Sequence, residues 1–497
     1  MRTISRRHTI VASALTAVGA SYAWPQTPTA EPVPARSMRV PLRTRAPTKF
    51  TGDFDDILRV RRLRFGVPYS RTLFFNDRGT LYGTAVDGAQ LLETWINKTF
   101  KLATPLTVTL TPISRDKLFD ALLAGDCDVA GGNVTITEER SKKVDFTSPT
   151  RSGVREIIVT DDDAPDLDSA EALSGKEVAT RRSTSYYESL TKLNERLAAQ
   201  HKPPVTITLV PDTLESEDLM EMTAAGLLPA VVVDDWVAQL WVQIIKGLKL
   251  HPKAVLREGA EIAWAVRPDN PKLLATLNRM IGEVDGRASQ WLNRTTSYLA
   301  KVKQLHRATQ SADMRRFLDT VEVFRTYATQ YHFDTLLLVA QGYQESRLEQ
   351  QARSPVGAIG VMQIMPKTGS YLGVGDIRQT KNNVHAGAKY MARLMDIYFK
   401  GVHFDDQNRN LFAFAAYNAG PGKIKSLRRE AERQKLDPNI WFDNVERVAA
   451  AKVGQEPVRY VRNIYKYYIA YKLIEEADAT KKAVTGATSA PASTKSP

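Results

Sequence analysis

The spacing of apolar residues changes character along this chain. From residue 51 to about 285, short runs carry apolar side chains at every second position: Leu63, Phe65 and Val67; Leu106, Val108 and Leu110; Val205, Ile207 and Leu209. Val154, Ile157, Ile158 and Val159 form a further β-like run. Between them lie stretches such as 88–96 with apolar residues at helical spacing. Strand–helix alternation of this kind predicts an α/β domain. Residues 311–478 carry almost no β-like runs and read as helices broken by Gly and Pro at 355–375 and 420–422. An all-α domain is expected there, with 286–310 as the connector.

The ends read differently. Arg2, Arg6 and Arg7 precede an apolar run at 10–20, and Ser21-Tyr22-Ala23 offers small residues, Ser21 and Ala23, at the positions an export peptidase needs. Residues 1–23 are read as a signal peptide cleaved after Ala23. Thr9 stands where a twin-arginine signal usually has Phe, so the export route stays open. No cysteine follows the run, so a lipid-anchored N-terminus is not expected. Six prolines between residues 24 and 50 predict a stiff linker, and residues 479–497 predict a disordered tail. No later stretch approaches the ~18 apolar residues of a membrane span, so the mature protein is expected to be exported, in the periplasm, soluble or peripherally attached.

Composition adds bounds. At 497 residues the chain is too long for one core. A formal charge of +13 favours an anionic partner, although a plain solvated basic surface fits equally. The single cysteine, Cys127, sits between Asp126 and Asp128, which raise a thiol pKa; it is read as a core residue. No His-Glu-x-x-His or comparable cluster is present, so no metal or other cofactor is expected.

In the α/β region several elements occur in order: 66–68, then Gly83 and Asp87, then Leu122, Gly125 and Asp128. They are followed by 133–140, 144–149, 175–179 and 264–267. Over roughly 220 residues this pattern resembles the family 3 extracellular solute-binding proteins of bacteria. The resemblance implies a type II periplasmic-binding-protein-like domain whose two lobes close on a small ligand. It places Arg140 on the ligand carboxylate, where a guanidinium can form two parallel bonds. Thr135 would add a hydroxyl, and Asp234 or Asp235 would meet the ligand amine. The alternative is that Arg140 pairs with Glu138, Glu139 or Asp145. The ligand is expected to be an amino acid or a cell-wall peptide fragment (a muropeptide).

In the helical region Asp334 is a plausible N-cap for a helix over 336–346. Leu338, Gly342 (or Gln341), Glu345 and Leu348 then fall near one face, so Glu345 continues a largely apolar stripe. A carboxyl held against apolar surface has a raised pKa and can donate a proton near neutral pH. Its neighbours in sequence are 357–366, 415–422, and Glu456 with Tyr460 and Val461. Together these resemble the soluble lytic transglycosylase domain, lysozyme-like, of glycoside hydrolase family 23, with Val361 and Pro457 as departures.

That resemblance implies Glu345 as acid and then base. It also implies that Ser346 bonds near the scissile sugar, Met362 and Gln363 line the groove, Tyr417 and Asn418 form its opposite wall, and Tyr460 sits against Glu345 or substrate. The family motif supplies one carboxylate where most glycosidases use two. This suits attack by the muramic acid C6 hydroxyl on its own anomeric carbon, giving a 1,6-anhydro sugar. Peptidoglycan glycan strands are the expected partner. Water-consuming hydrolysis would need another carboxylate, for which Glu349 and Glu456 are the local candidates. A domain that only grips peptidoglycan, without catalysis, is a further alternative. Nucleic acid is not expected as a partner of an exported chain lacking its motifs.

Overall fold

The computed structural model describes residues 49–284 and 311–488. The expected signal peptide, most of the linker and the connector lie outside the described residues.

Eleven strands fall in the first region: β1 (Arg62–Val67), β2 (Phe75–Asp77), β3 (Thr80–Tyr82), β4 (Thr107–Pro112), β5 (Val129–Thr135), β6 (Asp145–Phe146), β7 (Arg151–Asp161), β8 (Glu177–Thr180), β9 (Thr206–Leu209), β10 (Ala230–Asp234) and β11 (Leu248–Val266). The hydrogen-bonded order is β4-β1-β5-β11-β7-β10-β8-β9, with β6 on β11 and a separate β2-β3 hairpin. β1 pairs in parallel with β4 and β5, and β8 with β9 and β10. Each parallel group is the strand half of a lobe, covered by helices such as Thr84–Thr99 and Ser185–Ala199.

Two long antiparallel strands join the lobes. β11 pairs with β5 near Ile262 and with β7 from Ile262 back to Leu248. Its register shifts four times along β7, and such bulges add the bend and twist that a strand crossing between lobes needs. Cys127 is wholly buried beside Leu122 and Ala130, and burial followed by Asp128 pushes its thiol up to about 12. It is a core residue.

The second region is helical. Its main helices are Ser311–Tyr331, Thr335–Ser346, Thr380–Tyr398, Asp406–Ala419, Pro421–Arg433 and Gln455–Thr488. The helices Pro366–Leu372 and Pro421–Arg433 begin with proline, whose missing N–H costs nothing in a first turn. Pro457 occupies the first turn of Gln455–Thr488 in the same way. This last helix runs through Thr488, past residue 479 where order was expected to end.

The two regions share one apolar core, which includes Tyr69, Phe75 and Trp241 as well as Leu337 and Val458. Polar bonds cross the same boundary. Arg78 N–H donates to the Ala450 carbonyl at 2.9 Å, and the Gln455 side chain donates to Tyr69 Oη at 3.2 Å.

Candidate functional site

Glu345 lies in the last turn of Thr335–Ser346. Asp334 caps that helix by accepting from Leu337 N–H at 2.8 Å. Residues Leu336 to Tyr343 are all buried, so the helix is threaded through the core and fixed along its length. Gly342 permits close packing, since a Cβ there would stand 2.7 Å from Phe324 Cζ. Arg347 takes a left-handed conformation (φ 57°) and ends the helix just beyond Glu345.

The Glu345 side chain keeps some solvent contact. Protein crowded around its carboxyl nonetheless pushes the pKa up to about 7, against the opposing effect of one hydrogen bond. That bond comes from Tyr460, whose hydroxyl donates to Oε1 at 2.5 Å. Gln341, one turn before Glu345, donates to the same phenol oxygen at 3.4 Å. Burial and Tyr460 are the influences on Glu345 among the described residues, with no contribution from a second carboxylate. Glu349 is exposed and lies 3.6 Å from Arg316, and Glu456 is exposed and accepts from Asn418 at 3.1 Å.

The loop between the helices is built on Asn383, which is fully buried and which the sequence did not single out. Its Oδ1 accepts from Met362 N–H at 2.7 Å, and its Nδ2 donates to the carbonyls of Ile359 and Ile377. Gly360 sits against it at φ 78°, where a Cβ would meet Asn383 Nδ2 and Gln350 Nε2 at 2.5 Å. Tyr417 Oη donates to the Met362 carbonyl at 2.6 Å and lies near enough to Tyr460 to affect its phenol. Asn418 Oδ1 is buried without a protein partner.

Three of the expected site residues make structural bonds of their own, and one of them, Met362, departs from its expected role. Met362 does not line the groove with its side chain, which is wholly buried against Gly387; its carbonyl orients Tyr417 instead. The Ser346 hydroxyl is spent on the Val361 carbonyl at 2.9 Å, tying the helix end to the loop. Gln363 holds its own turn, donating to the Gly360 carbonyl at 2.9 Å with φ 46°.

In the α/β domain Thr135, Arg140 and Asp234 gather between the lobes, and Asp235 does not. Thr135 Oγ1 meets Ser185 Oγ at 3.1 Å, and Asn133 Nδ2 donates to Asp234 Oδ2 at 2.6 Å. Arg140 does not pair with Glu138, Glu139 or Asp145. It donates to the Thr135 carbonyl at 2.9 Å and the Ser183 carbonyl at 3.0 Å, bridging both lobes, with Glu188 at 3.9 Å. Asp234 is buried and faces this cleft, whereas Asp235 turns away to Arg155 at 3.2 Å. Burial, then the neighbouring Glu156, pushes Asp234 up to about 7. Its Oδ1 and the Oδ1 of Asn133 are both buried with no donor. Asn133 and Ser185 escaped the sequence reading because neither carries a distinctive spacing.

No helix among the described residues is long and apolar enough to cross a membrane. Among them, no group of three or more His, Cys, Asp or Glu could hold a metal ion.

Comparison with known proteins adds a second line of support. The pattern for bacterial extracellular solute-binding proteins, family 3, matches residues 63–294. The pattern for the transglycosylase SLT domain matches residues 322–440, so Tyr460 lies beyond the matched stretch. Over 438 residues the chain is 25% identical to a membrane-bound lytic murein transglycosylase F of Shewanella frigidimarina, covering 85% of this chain and 88% of that one. A protein of the same name from Desulfosudis oleivorans is 28% identical over 71% of this chain and 79% of its own. Among solved structures, an ancestral arginine-binding protein bound to arginine is 26% identical over 47% of this chain and 97% of its own, with a TM-score of 0.39. With a family 3 solute-binding domain followed by a transglycosylase SLT domain, and a carboxyl of raised pKa in the helical one, the chain is similar over most of its length to the membrane-bound lytic murein transglycosylases F.

Proposed function

We propose that this chain cleaves peptidoglycan glycan strands by lytic transglycosylation, with Glu345 as the one proton-transfer group. The observation that carries this reading is a single carboxyl with its pKa raised to about 7, held by Tyr460 and with no carboxylate partner among the described residues. A protonated Glu345 can donate to the glycosidic oxygen between MurNAc and GlcNAc as that bond breaks. The resulting carboxylate then takes the proton of the muramic acid C6 hydroxyl as its oxygen attacks the anomeric carbon. The product is a 1,6-anhydro sugar, and no water is consumed. Gln363, Tyr417 and Asn418 would meet the sugars, Asn418 through its unpartnered Oδ1, while Ser346 and Met362 hold the loop behind them.

The binding domain takes a small ligand bearing an ammonium group, an amino acid or a cell-wall peptide. Two buried acceptors without donors, Asp234 Oδ1 and Asn133 Oδ1, support this. Its role is to sense such a fragment and bias the catalytic domain, which requires the ligand to prefer one conformation of the pair. The place of work is the cell envelope outside the cytoplasm, where the polymer is.

Digestion of purified peptidoglycan with mass analysis of the soluble products tests the activity. Anhydro-muropeptides support it. Products heavier by one water move the assignment to hydrolysis, and binding without release leaves a peptidoglycan-binding sensor. Adding muropeptides to the full chain tests the sensing role, which is wrong if the rate never changes.

A further inference from the structure

The helix Ser216–Ala224 is short, acidic and buried on almost every side: Glu217, Asp218 and Glu221 are 1%, 3% and 4% exposed. Carboxylates this deep need partners, because leaving one uncompensated is costly. Glu217 is held within its own domain, accepting from Ser70 Oγ, Arg71 N–H and Thr72 Oγ1 at 2.6–2.9 Å. Asp218 and Glu221 face the other domain. Lys466, 2% exposed, reaches both, at 2.7 Å to Asp218 Oδ1 and 2.6 Å to Glu221 Oε2. Arg462, one turn earlier, lies 3.5 Å from Asp218, donates to the Thr213 carbonyl at 3.1 Å and also grips Glu446. Arg71 closes the cluster on Asp218 and Glu221.

Arg462 and Lys466 belong to the same helix as Tyr460. At 100° per residue, Tyr460, Ile464, Tyr467 and Tyr471 share one face, and Arg462 and Lys466 lie on the opposite one. The first face packs on the Glu345 helix, with the Tyr467 ring 4.6 Å from that of Tyr343. The second packs on the acidic helix of the binding domain. The terminal helix is thus gripped on both sides, and Lys466 of its charged grip lies six residues, about 9 Å, from Tyr460.

We propose that Lys466 and Arg462 are positioning residues for the reaction: docked on Asp218 and Glu221 of the binding domain, they fix the rotation and height of the terminal helix so that Tyr460 meets Glu345. The proposal rests on the lytic reading of Glu345. A buried lysine between two carboxylates gives little net stability over an apolar side chain of similar size, but it tolerates only one register, which is the use a helix under this demand has for it. The 2.5 Å bond at the other end leaves little room for a slide or turn of the helix.

The test uses the full chain with Lys466→Met, which keeps length and volume and removes the charge. The expected result is a cooperative melt, a rate of anhydro-product release lower by about 10- to 100-fold, and an alkaline limb of the pH–rate profile displaced to higher pH. The displacement matters because a mere loss of folded protein lowers the rate without moving the profile. It follows from the loosened Tyr460 bond, the only polar contact among the described residues acting on Glu345. Asp218→Asn and Glu221→Gln, near-isosteric changes in the other domain, are expected to do the same and decide the matter if Lys466→Met does not fold. Folded variants with the wild-type rate and profile overturn the proposal. A wild type that releases no anhydro product instead overturns the reading of Glu345 itself.

Discussion

The Tyr460 hydroxyl donates to Glu345 Oε1 at 2.5 Å across 115 residues of sequence. The bond opposes the effect of burial, so Glu345 rests near 7 rather than higher. An acid there is about half protonated at neutral pH, which suits a group that must first give a proton and then take one.

Replacing Glu345 by Gln removes both proton transfers while keeping shape and hydrogen-bonding atoms. Release of anhydro-muropeptides should fall by about 10²–10⁴-fold, with binding to insoluble peptidoglycan retained. Mass analysis of the soluble fraction and a pull-down check the two halves.

Tyr460→Phe takes away the bond that lowers the Glu345 pKa, so that pKa should rise. Activity needs the protonated acid and is lost as pH rises through its pKa. The alkaline limb of the pH–rate profile should therefore move upward, and the maximal rate should drop about tenfold from lost positioning. An unmoved limb would mean that Tyr460 does not act on Glu345 in solution.

Asp234 is also raised to about 7, here by burial and by Glu156. An unfolded Asp titrates near ~3.9, so the folded state favours the protonated form and loses stability as pH climbs from about 4 to about 7. Asp234→Asn removes this loss. Its stability relative to wild type should improve between pH 5 and pH 8, by on the order of 1–3 kcal/mol, read from denaturant midpoints. The same variant should weaken binding of an amino-bearing ligand, measured by calorimetry.

Asp334→Ala removes the cap of the helix that carries Glu345. Loss of an N-cap costs about 0.5–2 kcal/mol. Differential scanning calorimetry should show a transition lowered by a few degrees, with activity per folded molecule largely kept.

Much of this protein was readable from order along the chain. Period-two runs marked β1, β4 and β9, a further β-like run marked β7, and helical spacing with Asp334 ahead of it marked the Glu345 helix, because these depend on neighbours in sequence. The motif around Glu345 singled out that carboxyl for the same reason. What lay beyond reach were relations between residues far apart. Nothing local says that Asn383 holds the 357–366 loop, or that Met362 turns inward and presents only its carbonyl to Tyr417. Nothing local separates Asp234 from Asp235; packing against the cleft buried the first and left the second to Arg155. The raised pKa of Glu345 was anticipated from its apolar stripe, but its size depends on how much protein closes over it and on one phenol 115 positions away. The seating of Lys466 between Asp218 and Glu221 belongs wholly to the tertiary structure, since desolvation and charge pairing act through space and take no account of position along the chain.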